Sequence, residues 1–155
     1  MKTKRLSFLI LSLFLFSCGD SEYSDIPYSL VNLTLHLSDT DKELNTMTAH
    51  KIYTKNDINT SLKEAVGFGG VVVYHSSYSS GTYKAYDIAC PYELKQDVVI
   101  NIEPYSSTGT CPICGSAYDL ESGAPISGPS SENPKGKRLR IYSTMVSGDK
   151  IYVGN

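Results

Sequence analysis

Val31, Leu33, Leu35 and Leu37 alternate with Asn32, Thr34, His36 and Ser38. Apolar side chains at every second position share one face only when the backbone is extended. This eight-residue stretch therefore predicts a half-buried strand, with His36 on its wet face. Further short runs follow the same logic: Lys51–Thr54, Val98–Ile100, and a hairpin of Val71–Tyr74 with Tyr83–Ile88 around the polar turn 76–81. A last hairpin is expected from Leu139–Tyr142 and Lys150–Val153, turned at Gly148-Asp149. Only 57–65 suggests helix, one or two turns ended by Gly67, Gly69 and Gly70. No internal repeat is evident. Many short strands separated by Gly, Pro and Ser turns imply an all-β domain, a small antiparallel barrel or sandwich.

The first residues carry a different signal. Lys2, Lys4 and Arg5 precede an apolar run from Leu6 to Phe16, too short for the roughly twenty residues that span a bilayer and suited to the core of a secretory signal. The run ends in Leu15-Phe16-Ser17-Cys18, which resembles the lipobox of bacterial lipoproteins. That resemblance implies a signal peptide at 1–17, lipid on Cys18, and a folded domain outside the cytoplasm, anchored to a membrane of the bacterial envelope. Residues 18–27, with Asp20, Glu22 and Asp25 among Ser and Tyr, read as an acidic tether. The domain is then expected over 28–155.

Charge and catalytic motifs exclude more than they suggest. The net charge is −2, and the basic residues are scattered except in Lys135–Arg140, so nucleic-acid binding has no support. Ser116 follows Gly115 without a G-x-S-x-G elbow. Asp39, Asp41 and Glu43 form an acidic turn without an EF-hand pattern, which reads as a solvated loop. No catalytic constellation emerges, and an enzyme is not expected.

The cysteines point to chemistry. With Cys18 taken by lipid, Cys90, Cys111 and Cys114 remain. Cys90 ends the first hairpin, and the C-x-x-C of Cys111 and Cys114 follows one expected strand later. Loops at adjacent strand ends bring such side chains together, so Cys90 and Cys111 are expected on neighbouring loop tips. That is a layout for a metal site or a disulfide.

Here the chain resembles the Rieske domain family. The resemblance rests on Tyr86-Asp87, Cys90-Pro91, Cys111-Pro112, Gly115-Ser116, Tyr118-Asp119, Gly123, Pro125 and Gly128-Pro129, and covers the chain from about Val71 onward. The chain is also similar to small Rieske-like lipoproteins of Bacteroidetes. The family implies a β-barrel with two cysteine-bearing loops, a [2Fe–2S] cluster and electron transfer to a redox partner. Its cluster uses two thiolates on one iron and two imidazoles on the other. In this chain Tyr92 stands at the first histidine position and Cys114 at the second.

Four readings follow. A non-standard iron–sulfur site on Cys90, Cys111 and Cys114, completed by an oxygen of Tyr92 or Glu93, would transfer electrons below the Rieske potential range. Zinc on the same thiolates would be structural, with His75 the nearest histidine in sequence, although a surface role at a strand end also explains His75. A disulfide from Cys90 to Cys111 or Cys114 would tie the loops together by roughly 3 kcal/mol. Finally, the fold can serve as a redox-silent scaffold binding a protein or ligand.

Overall fold

The alternation that opens the domain sets the inside of a barrel. The computed structural model describes residues 24–132 and 137–155. Strand β1 spans Val31–His36 and buries Val31, Leu33 and Leu35 while its intervening residues turn outward. It is followed by β2 (His50–Tyr53), β3 (Ala65–Val66), β4 (Val71–His75) and β5 (Tyr83–Asp87). Four short strands come next: β6 (Asn101–Ile102), β7 (Thr108–Thr110), β8 (Ala117–Asp119) and β9 (Pro125–Ser127). A one-turn helix α1 (Pro129–Glu132) precedes the closing hairpin of β10 (Ile141–Ser147) and β11 (Lys150–Gly154).

The strands form two antiparallel sheets. The larger runs in the order β2-β4-β5-β10-β11-β1-β3 and curls into a nearly closed barrel, while the smaller runs β6-β7-β8-β9. Leu33, Leu35, Val71, Val73, Ile151 and Val153 fill the barrel. On the other side of β4 and β5, Val72, Tyr74 and Tyr86 pack against Ile100, Tyr118 and Leu120 from the smaller-sheet region. Strand β4 is therefore buried at all five residues. Its unbroken Val71-Val72-Val73-Tyr74 sequence is what two-sided burial requires, and each such side chain contributes about 1.5–3 kcal/mol by leaving water.

The strands expected in the barrel are present, with shifted ends. The terminal hairpin pairs Ser147 with Lys150, so Gly148 and Asp149 form a two-residue turn, and Gly148 takes the positive φ of 62° that such a turn needs at its first position. The helical expectation over 57–65 shrinks to a single 3₁₀ turn, Thr60–Leu62, because Lys63 adopts φ 57° and β3 must pair with β1 immediately afterwards. The expected strand Val98–Ile100 is instead a loop with one bridge, Val99 to Ala89, and regular pairing starts at Asn101. Leu139 does not begin the tenth strand either: its N–H donates to Gly123 O at 3.0 Å and its side chain turns into the core.

Three local expectations are corrected by long-range contacts. Ser24 and Ile26, read as tether, are buried, and Arg140 Nε donates to Ile26 O at 2.9 Å. Asp41, read as part of a solvated loop, is buried and accepts from Lys51 Nζ (2.9 Å), Tyr53 Oη (2.7 Å), Thr40 Oγ1 (2.9 Å) and the His36 N–H (2.6 Å). His75 is no surface residue: it is buried against Tyr83 with ring centroids 4.6 Å apart, and its Nε2 accepts from the Gly81 N–H. The expected signal peptide at 1–17 and lipid on Cys18 lie outside the described residues. Among those described, no helix is long and apolar enough to cross a membrane.

Candidate metal centre

Two loops at one end of the molecule carry the cysteines, and each is shaped by its own backbone hydrogen bonds. Strand β5 ends at Asp87, whose buried carboxylate accepts from the N–H groups of Phe68 (2.7 Å), Gly69 (3.0 Å) and Ala89 (2.9 Å) and from Tyr142 Oη (2.7 Å). This fixes the direction in which the chain leaves the sheet toward Cys90. The Cys90 N–H then donates to Val98 O at 2.8 Å, and Leu94 N–H donates back to Cys90 O at 3.0 Å. In the second loop the Gly115 N–H donates to Cys111 O at 3.0 Å and the Cys111 N–H to Ser116 O at 2.9 Å. Closing that turn requires the left-handed conformation of Gly115, φ 73°.

The result is a cluster of three sulfurs. Cys90, Cys111 and Cys114 bring their Sγ atoms within 4.8 Å of one another, with Cys90 and Cys114 at 3.7 Å. Cys90 and Cys111 are buried and Cys114 is half-buried. No two of them are joined as a disulfide in this structure. Around them lies a polar cradle in which the motif residues Ser116, Tyr118 and Gly128 are joined by Ser130 and Glu121, which the sequence motif does not contain. Tyr118 Oη sits 3.5 Å from Cys90 Sγ and 2.7 Å from Ser130 Oγ. Ser116 Oγ accepts from the Cys114 thiol at 3.2 Å and from the Ser130 N–H at 3.0 Å. Gly128 is needed behind Ser116, since a Cβ there would lie 2.7 Å from Ser116 Cα. Glu121 locks the small sheet to the barrel, accepting from Ser76 Oγ (2.8 Å) and from Ser77 N–H and Oγ (both 2.6 Å). Only the register of the finished fold assigns these roles, though Ser116 directly after C-x-x-C-G was a usable local signal.

The thiols are electrostatically unequal. Burial pushes the Cys111 thiol up to about 12. Burial acts in the same direction on Cys114, but hydrogen bonding to the Ser116 hydroxyl and backbone and to the neighbouring thiols outweighs it and leaves Cys114 below its ordinary value. Burial, then the contact with Cys90, raises the Tyr118 phenol above its ordinary value.

The other expected ligands stay apart. Tyr92 is 43 % exposed and lies beneath Lys137 Nζ, 5.4 Å from the ring centroid. Among the described residues, neither Glu93 nor any histidine joins the three sulfurs. His75, considered above as a zinc ligand, is engaged at the far end of β4 with Gly81 and Tyr83.

No protein-family model and no curated protein sequence matches this chain. Solved structures do match. The quaternary ammonium Rieske monooxygenase CntA in complex with γ-butyrobetaine superposes with a TM-score of 0.55 at 13 % identity, over 81 % of this chain and 32 % of the oxygenase chain. Its apo form gives 0.55 at 12 % identity, over 83 % and 33 %. The domain has the Rieske fold. It spans about a third of the length of those oxygenase chains. The ferredoxin of carbazole 1,9a-dioxygenase from Nocardioides aromaticivorans also aligns, over 79 % of this chain and 96 % of its own, with a TM-score of 0.44 and 16 % identity.

The Rieske fold implies a cluster with two imidazole ligands, and the donor set of this chain does not fit it. His36, His50 and His75 belong to β1, β2 and β4, not to the cysteine loops. What the site offers is three thiols and no imidazole.

Proposed function

We propose that this chain is an envelope lipoprotein, anchored through Cys18, whose Rieske domain carries single electrons through a thiolate-ligated iron centre on Cys90, Cys111 and Cys114. The observation that carries this reading is the convergence of the three sulfurs within 4.8 Å at the tip of two loops. Iron bound there supplies one-electron redox chemistry. The protein's own part is to hold the sulfurs in a largely buried pocket with the Tyr118 and Ser116 hydroxyls beside Cys90 and Cys114, where they can donate once the thiols have lost their protons; burial and such hydrogen bonds are two levers that set the potential of sulfur-ligated iron. With thiolate in place of imidazole the centre is more negative and harder to reduce, so its potential lies below the Rieske range. Ile113, between two of the ligands and 66 % exposed, offers an apolar contact at the tip for a protein redox partner. The domain acts as a carrier and not as an enzyme.

The second reading is a redox-silent domain with its loops tied by zinc or a disulfide. The 3.7 Å approach of Cys90 and Cys114 favours it, since that pair needs little movement to bond. Anaerobic purification of the full chain separates the two. Electron transfer requires coloured, iron-containing protein that Cys90→Ser and Cys114→Ser each bleach; colourless wild-type protein without iron refutes it.

A further inference from the structure

We propose that Cys90, Cys111 and Cys114 bind a single tetrahedral metal ion in place of a two-iron cluster. This rests on the metal-centre reading above and deepens it.

Three observations carry it. The first is spacing. Thiolates around one tetrahedral ion at about 2.3 Å are separated from each other by about 3.8 Å. Cys90 and Cys114 lie 3.7 Å apart, and the third sulfur falls within the same 4.8 Å sphere. The second is partition of donors. A two-iron cluster needs two protein ligands on each iron. Here Cys114, the residue at a histidine position, turns its sulfur toward Cys90 of the other loop, and Tyr92, at the remaining position, is exposed, with its ring facing Lys137 Nζ. Among the described residues, no further His, Cys, Asp or Glu joins the three sulfurs to hold a second iron. The third is the local frame. Cys111 and Cys114 flank a turn closed by the Gly115 N–H to Cys111 O bond, and C-x-x-C is the spacing with which two thiolates chelate one ion.

The balance of the binding step follows from the donors. A divalent ion displaces three protons from three thiols and forms three metal–sulfur bonds, which leaves the site with one net negative charge. Among the described residues no His, Asp or Glu supplies a fourth bond. The fourth position therefore belongs to water or an added ligand, and the half-buried Cys114 marks the side from which solvent enters. Iron(II), zinc(II) and cobalt(II) are the class of ion that suits such a soft donor set.

Cobalt(II) titration of metal-depleted full-length protein tests this directly. The expected result is saturation at one equivalent, tetrahedral d–d bands, an intense thiolate-to-cobalt band, and release of about three protons per ion. Cys114→Ser should lose about a third of the thiolate band and bind at least tenfold more weakly, whereas Tyr92→Phe should titrate as wild type. Absence of cobalt binding, or loss of binding in Tyr92→Phe, overturns the three-thiolate site. Metal and acid-labile sulfide in anaerobically purified protein then separate the two levels. One iron without sulfide supports both. One zinc without iron supports the single-ion site and overturns electron transfer. Two irons with two sulfides overturn the single-ion site and leave electron transfer standing.

Discussion

Asp87→Asn is the perturbation that most sharply probes how the Cys90 loop is held. The carboxylate is wholly buried and accepts four hydrogen bonds, two at Oδ1 from Gly69 and Ala89 and two at Oδ2 from Phe68 and Tyr142. Burying a charge costs several kcal/mol, but four charge-assisted bonds at about 1.5–3 kcal/mol each outweigh that. An amide has one accepting oxygen. Placed at the Oδ1 position, it keeps Gly69 and Ala89. The NH₂ then meets Tyr142 Oη, which can rotate and accept, and the Phe68 N–H, which cannot. One orphaned, partly buried N–H at about 1 kcal/mol, together with two retained bonds weakened from charged to neutral, gives a loss of about 3 kcal/mol. Against a total stability of about 5–15 kcal/mol that is a large fraction. Urea unfolding followed by circular dichroism reads it as a lower midpoint with unchanged slope. Tyr142→Phe removes only one donor and should cost about 1 kcal/mol. A loss below about 0.5 kcal/mol for Asp87→Asn would refute the view that this carboxylate anchors the loop.

Other outcomes follow from the same contacts. Burial pushes the Asp41 carboxyl up, but hydrogen bonds from Lys51, the His36 N–H, Tyr53 and Thr40 outweigh it and hold it below its ordinary 3.8; its stabilisation is complete above that value and disappears as pH falls through the lower folded value. Thermal melts should therefore show wild type and Asp41→Asn converging in acid and separating above it; a constant difference across that window contradicts the assignment. Gly128→Ala forces a Cβ to within 2.7 Å of Ser116 Cα at φ 75°, so it should cost about 2 kcal/mol from the left-handed strain and clash and weaken cobalt(II) binding; wild-type stability and affinity would show that the Ser116 loop does not depend on this contact. Cys18→Ala should move the protein from membranes to the soluble fraction or leave it unprocessed, and an unchanged membrane fraction with normal signal removal would contradict the lipid anchor.

What the sequence disclosed and what it concealed divide along physical lines. Strand β1 was legible because one of its faces meets the barrel interior and the other meets solvent, so its pattern has period two. The short strands Thr108–Thr110, Ala117–Asp119 and Pro125–Ser127 have too few residues to show any period, and their pairing arises only when the two cysteine loops are already in place. Cys90, Cys111 and Cys114 could be named in advance from their positions at strand ends and from the Rieske resemblance. His75 could not, because the polar Ser76 and Ser77 beside it suggest a wet strand end, whereas Tyr83 and the Gly81 turn cover it. Asp41 and Glu121 were obscured for the same reason: each carboxylate is surrounded by donors from distant segments, Tyr53 and Lys51 for one and Tyr74 to Ser77 for the other. Burial of a charge depends on those partners, and local composition does not contain them.

Coulometric titration of the anaerobically purified full-length protein tests electron transfer through the cysteine cluster most directly. The account predicts one reversible electron per chain, with the signal lost in Cys114→Ser. Zero electrons per chain in protein whose three sulfurs are otherwise intact would contradict it.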